Sequence, residues 1–331
     1  MPPEAVPAFD LTVMVCTRHR LESLRETIRC VLACDRAGWS MEIVIADNGH
    51  PGEAKIVAEE TAATVPCRYV HEAKSGKGNT MNRVLAAGGL GKIVAGLDDD
   101  MSPHPDWIRQ VKAACERRPD ADVFGGYVYV IWPGASTPRW AAECRQNIRV
   151  WAYSAYGEKE VKPADWPVRN DRWPCGNHFW FRSKCIRPGQ QFSNLWVPEP
   201  GLFFDFAENG SKTVICTEAK AAHRVQPELV ERKRQLDRAV MMARTFADIA
   251  LRPYRPGFKV PESFHRHPVA ARGYAVAQLL WHGAAALFTA AFGDRGMWFE
   301  RRLYAVHRRA FYLHLLRLAA TEKKYGVWSR S

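Results

Sequence analysis

Strand-like and helix-like patterns alternate through the first hundred residues, and this alternation restricts the fold more than any other feature of the chain. Four short apolar runs, rich in β-branched residues, lie at 11–16, 41–46, 67–70 and 92–97. Between them, apolar residues recur at helical spacing. Strands joined by helical crossovers predict an α/β fold with a mostly parallel sheet. In such sheets, ligands bind beyond the carboxyl ends of the strands.

Polar or glycine-rich segments lie at or near the ends of all four predicted strands. In chain order, these segments are Thr17–Arg20, Asp47–Gly49, Ser75–Asn79 and Asp98–Asp100. Turns alone explain the glycines and asparagines, but they do not require arginine, lysine and aspartate at every strand end on one rim. Their convergence predicts a pocket for a nucleoside diphosphate.

The carboxylates of Asp98, Asp99 and Asp100 come directly after the fourth run. Three like charges at the end of a buried strand are costly unless a cation or hydrogen-bond donors hold them, so the triplet indicates a metal site. The alternative is a solvated acidic turn before the helix that begins within Ser102–Ile108. The motifs around the triplet favour the metal site.

Four segments resemble motifs of the family 2 glycosyltransferases, in the order and spacing of that family. Val13–Leu24 is similar to the opening strand and turn, and Glu42–Gly49 to the strand end "VVDNGS". Gly76–Leu85 resembles the glycine-rich turn and the helix "ARNAGL", with Met81 where the family usually has arginine. Leu97–Ile108 is close to "LDDDxxPxPDWL". The resemblance extends over residues 11–225.

This resemblance implies the GT-A fold, a Rossmann-like, mostly parallel sheet flanked by helices. It also implies inverting transfer of a sugar from a nucleotide-diphosphate donor to a hydroxyl acceptor, with Mn²⁺ or Mg²⁺ on the diphosphate. The implied donor-binding residues are Thr17, Arg18, Arg20, Asp47, Gly76, Lys77, Asn82, Asp98 and Asp99. The implied metal ligands are Asp100 and His223, the latter in a segment similar to the family's "xxxHxV" strand end.

Weaker resemblances in the second half define the acceptor side. The segment Pro174–Arg182 is similar to the family's "GxNxAFRR" strand, and it implies that Gly176 and Asn177 lie in the acceptor or sugar pocket. Trp173 and Trp180 flank Gly176 and Asn177. Because sugar rings stack on aromatic faces, both tryptophans are predicted to line the same pocket.

Glu199 is the predicted general base. The family's catalytic carboxylate lies in a "GEDTDLxxRLxxAG" helix, and the equivalent stretch here is 197–210. Counting back eleven residues from Gly210 places Glu199 on the catalytic aspartate, and allowing a one-residue deletion places it on the preceding glutamate. Prolines on both sides of Glu199 depart from the family pattern, so a solvated loop acid is the alternative. Asp205 and Asp171 are the next candidates for the base.

The chain is predicted to divide near residue 225. Residues 1–225 would form the glycosyltransferase domain, with a nucleotide-binding half at 1–105 and an acceptor half at 106–225, and 226–331 would form a basic helical region. Lys and Arg number 27 against 27 Asp and Glu in residues 1–220, but 20 against 8 in residues 221–331. The whole net charge of +12 therefore lies in the last third. It favours an anionic membrane, a nucleic acid or an acidic acceptor as partner.

An uncharged run of 21 residues, Gly273–Gly293, is long enough to span a bilayer. Seven alanines, with Gln278 and His282 near the middle, make it a marginal span. The next helical pattern combines an apolar stripe with arginines, which is typical of an interfacial helix. Residues 265–320 are therefore predicted either to contact a membrane peripherally or to pack on protein, including as a homodimer.

Nine cysteines without a CxxC pair, and an N-terminus without a secretory signal, predict a cytoplasmic location. Membrane association through the C-terminal helices is compatible with it. The acceptor is a glycan, a lipid-linked sugar or a small natural product, and the residues do not choose among them.

Two alternative functions compete with glycosyl transfer. A nucleotidyltransferase also uses a Rossmann-like half and paired carboxylates, but the Asp47-Asn48-Gly49 strand end and the Pro105-Asp106-Trp107 segment argue against it. A non-enzymatic polyanion-binding protein could use the basic tail. That interpretation leaves the aspartate triplet without a purpose, so no nucleic-acid partner is expected.

Overall fold

The computed structural model describes residues 7–156, 166–167, 174–187, 189–192, 198–250, 268–294 and 297–324. Its strands are β1 (Leu11–Thr17), β2 (Met41–Asp47), β3 (Cys67–His71), β4 (Ile93–Asp98), β5 (Met101–Pro103), β6 (Val123–Ile131), β7 (Trp166–Pro167), β8 (His178–Arg182) and β9 (Thr213–Arg224). Its α-helices are α1 (Leu21–Leu32), α2 (Lys55–Ala62), α3 (Lys77–Ala87), α4 (Trp107–Arg117), α5 (Arg139–Ala142), α6 (Gln146–Tyr153), α7 (Glu199–Glu208), α8 (Arg232–Ala250), α9 (Pro268–Phe292) and α10 (Trp298–Lys324).

These elements form two compact units. The first consists of Met1–Ile131 and Ser154–Arg224 and holds all the strands named above. The second consists of Trp132–Tyr153 and Val225–Ser331, and its described residues are mainly helical. The segment 132–153, which the sequence assigned to the acceptor half, thus belongs to the second unit. The assignment of domains to functions stays a prediction.

The strands form one sheet in the order β3-β2-β1-β4-β8-β6-β9-β5, and β7 pairs with β9. Strands β1 to β4 are parallel to their neighbours among themselves. Strand β8 runs antiparallel to both β4 and β6, while β6 and β9 are parallel. The predicted α/β fold is confirmed. The second half of the sheet is mixed because the regular alternation of strand and helix patterns ends after β4.

In the core of the first unit, residues of the parallel strands pack against aromatic side chains of β8 and α7. Every residue of β1 and β2 is buried, as expected for strands with covered faces. Met14, Val44 and Val94 pack in one cluster with Phe179 of β8 and Phe203 of α7. This packing fixes β8 and α7, which carry the acceptor-side residues, against the strands that carry the donor-side residues.

The register of the parallel strands brings their carboxyl ends to one rim. Cys16 of β1 lies opposite Asp98 of β4, and Thr17 lies opposite Asp47 of β2. Polar residues that are 30 to 80 positions apart in the chain therefore become neighbours at the same edge of the sheet.

Arg224, at the end of β9, holds the turn that follows β4. Its guanidinium donates to the carbonyl oxygens of Met101 at 2.7 Å, Ser23 at 2.9 Å and Asp99 at 3.2 Å, and to the hydroxyl of Thr27 at 2.8 Å. The Thr27 hydroxyl itself donates to the Asp99 carbonyl at 2.8 Å. Because buried carbonyl groups need donors, this network fixes the backbone of the aspartate triplet.

The second unit has a small core of its own, built by α8, α9 and α10. Its buried members are Ala243, Ala247, Ala275, Phe311, Tyr312 and Leu315. Helix α9 leaves large apolar side chains in solvent, including Leu280, Trp281, Leu287 and Phe292, which are 69%, 70%, 74% and 80% exposed. Within the described residues, Gly273–Phe292 is long and apolar enough to cross a membrane, by length and composition.

Candidate active site

The aspartate triplet lies at the rim of the sheet, and Arg20 lies against it. The side chain of Asp99 is fully buried and that of Asp100 is nearly so. Arg20 places Nη2 2.6 Å from Asp99 Oδ1 and donates from Nη1 to Asp100 Oδ2 at 2.8 Å. The Thr17 hydroxyl donates to Asp99 Oδ2 at 2.7 Å. Thr17 and Arg20, both predicted to bind the donor, therefore hold the triplet in this structure.

The two buried carboxylates differ in pKa. Burial raises the pKa of Asp99 to about 7, against the opposing charge of Arg20. Burial also acts to raise the pKa of Asp100, but His223 and Arg20 outweigh it and hold that pKa below its usual range. Asp100 is thus the carboxylate kept ionised at neutral pH.

The surroundings of Asp100 fit a divalent cation. Asp100 Oδ1 is buried and has no hydrogen-bond partner among the described residues. His223 Nε2 lies 3.6 Å from Asp100 Oδ2. No group of three or more His, Cys, Asp or Glu side chains in the described ranges forms a ready-made cage. Mg²⁺ commonly takes one or two protein carboxylates and completes its shell with phosphate oxygens and water, so an incomplete protein shell suits it.

Lys77 connects the triplet with the acceptor side. Its ammonium group lies 2.5 Å from Asp98 Oδ1, forms an ion pair with Glu199 Oε1, and donates to the Gly176 carbonyl at 2.9 Å. Burial acts to lower the pKa of Lys77, but Asp98 and Glu199 outweigh it and raise that pKa above its usual value. A permanent positive charge therefore lies between the two carboxylates.

Glu199 is buried at the start of α7, with 1% of its surface exposed. The alternative interpretation of a solvated loop acid is therefore wrong. Burial raises the pKa of Glu199, and the neighbouring charge of Lys77 opposes the rise. A carboxylate in the first turn of a helix is also stabilised by the helix dipole.

Gly176 adjoins Glu199, and Asn177 follows Gly176 in the chain. A Cβ atom on Gly176 would lie 2.7 Å from Glu199 Cδ, so only glycine permits this approach. Asn177 is buried, and neither its amide nitrogen nor its amide oxygen has a hydrogen-bond partner among the described residues. Buried amides are normally paired, so this side chain has capacity for a bound polar group.

Three predicted site residues have contacts within the fold, and their roles in the site stay predictions. Asp47 is buried, and it accepts hydrogen bonds from the Gly49 amide at 2.7 Å, the Ala54 amide at 3.3 Å and the Tyr69 hydroxyl at 2.8 Å. This carboxylate shapes the turn after β2.

Asn82 and Trp180 are the other two. Asn82 exchanges two hydrogen bonds with the backbone of Phe192, at 3.1 and 2.6 Å. Trp180 is fully buried and stacks on Phe124, with ring centroids 5.6 Å apart. Its ring packs in the core of the first unit, and its place in the acceptor pocket stays a prediction.

The remaining predicted residues are placed as follows. Arg18 is exposed and donates to the Ser75 hydroxyl at 3.1 Å. Gly76 precedes α3 with a φ of 127°, a conformation that other residues rarely adopt. Trp173 lies outside the described residues.

The residues that sequence reasoning missed are those that support the triplet from α1 and β9. Ser23 and Thr27 donate hydroxyl hydrogens to the Asp99 carbonyl, and Arg224 joins them. One signal was available: Thr27 is a small polar residue on the apolar face of α1, beside Leu24 and Ile28.

The comparisons with known proteins agree with the family resemblance of the motifs. Residues 12–165 match the model of Glycosyl transferase family 2. A glucosyl-dolichyl phosphate glucuronosyltransferase from Haloferax volcanii is 33% identical over 127 residues, which are 38% of this chain and 40% of that protein. The match thus spans about two-fifths of that relative's length.

Two solved glycosyltransferase structures resemble the whole fold. The first is mannosyltransferase PcManGT from Pyrobaculum calidifontis, in complex with GDP-Man and Mn²⁺. It aligns with a TM-score of 0.57 and 16% sequence identity, and the alignment covers 97% of this chain and 89% of the mannosyltransferase chain. The second is TarS 1-349 from S. aureus, in complex with UDP, with a TM-score of 0.50 and 14% sequence identity. This alignment covers 97% of this chain and 93% of the TarS chain. At such low identities the likeness concerns the fold alone, and it confirms the predicted GT-A architecture.

The structural role of Asn82 can be tested by stability. Asn82→Ala leaves the amide and carbonyl of Phe192 without partners, so the free energy of unfolding should fall by about 1–3 kcal/mol. Urea denaturation measures this fall. Asn79→Ala is the matched control on the same helix, because it removes a single contact, to the Ser75 carbonyl at 2.9 Å. Equal stability of the two variants would contradict the structural role.

Proposed function

We propose that this protein is an inverting glycosyltransferase that moves a sugar from a nucleotide-diphosphate donor to a hydroxyl group of an acceptor. The observation that carries the proposal is the chain of contacts from Asp98 through Lys77 to Glu199. It joins the end of the nucleotide-binding half to a buried carboxylate on the acceptor side. The family 2 domain supports sugar transfer over the alternative of nucleotidyl transfer.

Asp100 and His223 would hold Mn²⁺ or Mg²⁺ at the donor end. The partnerless oxygen of Asp100 and its low pKa support this assignment, as does the Mn²⁺ complex of PcManGT. A bound divalent ion would neutralise negative charge on the departing diphosphate. Arg20 would keep Asp100 in place by its hydrogen bond to the other carboxylate oxygen.

Glu199 would accept the proton of the acceptor hydroxyl. A general base must be ionised and within hydrogen-bond reach of that proton. The Lys77 ammonium favours the ionised form of Glu199 against the effect of burial. Displacement by a hydroxyl activated by one base, opposite the leaving group, inverts the anomeric centre. Asn177, with its unpaired buried amide, would bind a hydroxyl of the sugar or of the acceptor.

The acceptor class we favour is a lipid-linked sugar at a membrane surface. Two observations support it: the large apolar side chains that α9 leaves in solvent, and the Haloferax volcanii relative, which is named for a dolichyl-phosphate substrate. Exposed apolar patches of this kind mark membrane or protein contacts. A cytoplasmic location with peripheral membrane contact agrees with this proposal, and a homodimer through the same helices is its rival.

The metal assignment predicts a selective loss of binding in Asp100→Ala. Nucleotides such as UDP and GDP should raise the melting temperature of the wild type in the presence of Mn²⁺ by mass action, and this shift should vanish in the variant. Asp35→Ala, at an exposed aspartate, should behave as the wild type. Undiminished transfer by Asp100→Ala would exclude the metal assignment.

The base assignment predicts that Glu199→Gln keeps donor affinity and loses transfer by about 10²- to 10⁴-fold, the usual contribution of general-base catalysis. Transfer is measured with the donor that gives the largest thermal shift. Asp205→Asn serves as the matched control on α7, because Asp205 lies on the same helix and accepts from Gln190 at 3.3 Å. If Asp205→Asn carries the loss instead, the base is Asp205.

The charge of Lys77 makes a prediction about how the activity depends on pH if Glu199 is the base. A base works only when ionised, so activity falls as pH drops through its pKa. Removing the ammonium in Lys77→Met should raise the pKa of Glu199, and the acidic limb of kcat/KM should move to higher pH. Lys74→Met, on the exposed loop before α3, should leave the limb in place. An unmoved limb in Lys77→Met would show that Lys77 does not act on the base.

The membrane contact predicts co-sedimentation with anionic vesicles. Leu280→Asn with Leu287→Asn should weaken vesicle binding by at least about tenfold, because burying each leucine contributes about 1.5–3 kcal/mol. Ile56→Asn with Ile131→Asn is the matched control, since both isoleucines are about half exposed in the first unit. A wild-type protein that ignores vesicles and sediments as a stable dimer would support the homodimer instead.

A further inference from the structure

A pocket of about 350 Å³ lies between α8 and α10 in the second unit. Its polar lining consists of Arg244, Arg309, His314 and Arg317, and its apolar lining includes Val240 and Leu313. The volume is within the range of small-molecule sites, which is about 300–1,000 Å³. None of these residues belongs to the candidate active site in the first unit.

Two regular helices build the pocket. Arg309, Leu313 and Arg317 succeed one another at intervals of four on α10, so they share one face of that helix. Val240 and Arg244 share a face of α8 by the same spacing. The cationic groups are therefore held on rigid elements with apolar surface between them.

Two arginines of the pocket, Arg244 and Arg309, lack a carboxylate partner in the described part of the chain. The carboxylate of Asp248 lies 3.0 Å from His314 Nε2. Arg244 and Arg309 form no ion pair with a carboxylate among the described residues. Guanidinium groups that converge on one pocket repel each other, and an anion relieves that repulsion.

We propose that this pocket binds the phosphate group of an organic phosphate. Guanidinium groups match phosphate oxygens with paired, charge-assisted hydrogen bonds. The apolar wall at Val240 and Leu313 fits a carbon skeleton attached to the phosphate better than it fits an inorganic ion. Two sources share this chemistry, a soluble phosphate ester and the headgroup of an anionic lipid.

The test is isothermal titration calorimetry on the full chain at constant ionic strength, because salt screens exposed charges. The probes are inorganic phosphate, glycerol 3-phosphate, and monomeric dihexanoylphosphatidate. Arg244→Gln with Arg309→Gln should weaken binding of the organic phosphates by at least about tenfold, given that hydrogen bonds to charged groups contribute about 1.5–3 kcal/mol. Both side chains are exposed, so the melting temperature should not fall.

The matched control is Arg234→Gln with Arg301→Gln, which removes the same charge from exposed positions of α8 and α10 outside the pocket lining. Binding by this control should stay within about twofold of the wild type. An equal loss in both double variants, or no binding of any probe by the wild type, would overturn the proposal. If dihexanoylphosphatidate binds more tightly than glycerol 3-phosphate, the proposal holds and the ligand is a lipid headgroup. If the two bind equally, the proposal holds and the ligand is a soluble phosphate ester.

Discussion

The pairing of three consecutive carboxylates with two cations is the interaction on which the rest of the first unit depends. Asp99 and Asp100 are buried at the end of β4, where an uncompensated charge is very costly. Arg20 pairs with both of them, and Lys77 pairs with Asp98. These two cations come from segments that follow β1 and β3. The triplet thereby connects the ends of three strands. The hydrogen bonds of Arg224 to backbone carbonyls hold the same turn.

Much of the fold and part of the site could be predicted from sequence. The periodicity of residues 11–97 predicted the parallel half, because each strand there is followed by an amphipathic helix. Four motifs predicted the family 2 domain and the GT-A fold. The family resemblance assigned Gly176 to the acceptor pocket and Glu199 to the base, and the structure places the two residues in close contact. Motif position thus located the buried carboxylate even where flanking prolines had replaced the family's residues.

The rest could not be predicted, because sequence motifs do not report the direction of a side chain. Asp47 matches the family motif, yet its two oxygens are used by the turn itself. Trp180 lies beside the acceptor motif, but the pleat of β8 directs it into the core. The sequence also did not predict the mixed half of the sheet, because β8 and β9 pair with strands that are distant in the chain. Each of these outcomes depends on long-range packing.

The turn at Gly176 sets the distance between the candidate base and its cation with main-chain atoms. The carbonyl of Gly176 receives Lys77, and its α-carbon leaves no room for a side chain beside Glu199. Backbone atoms do not change with the identity of a residue, so substitutions at neighbouring positions do not alter the spacing between Lys77 and Glu199. A substitution near Glu199 can therefore change nearby side chains while the distance between Lys77 and Glu199 is kept.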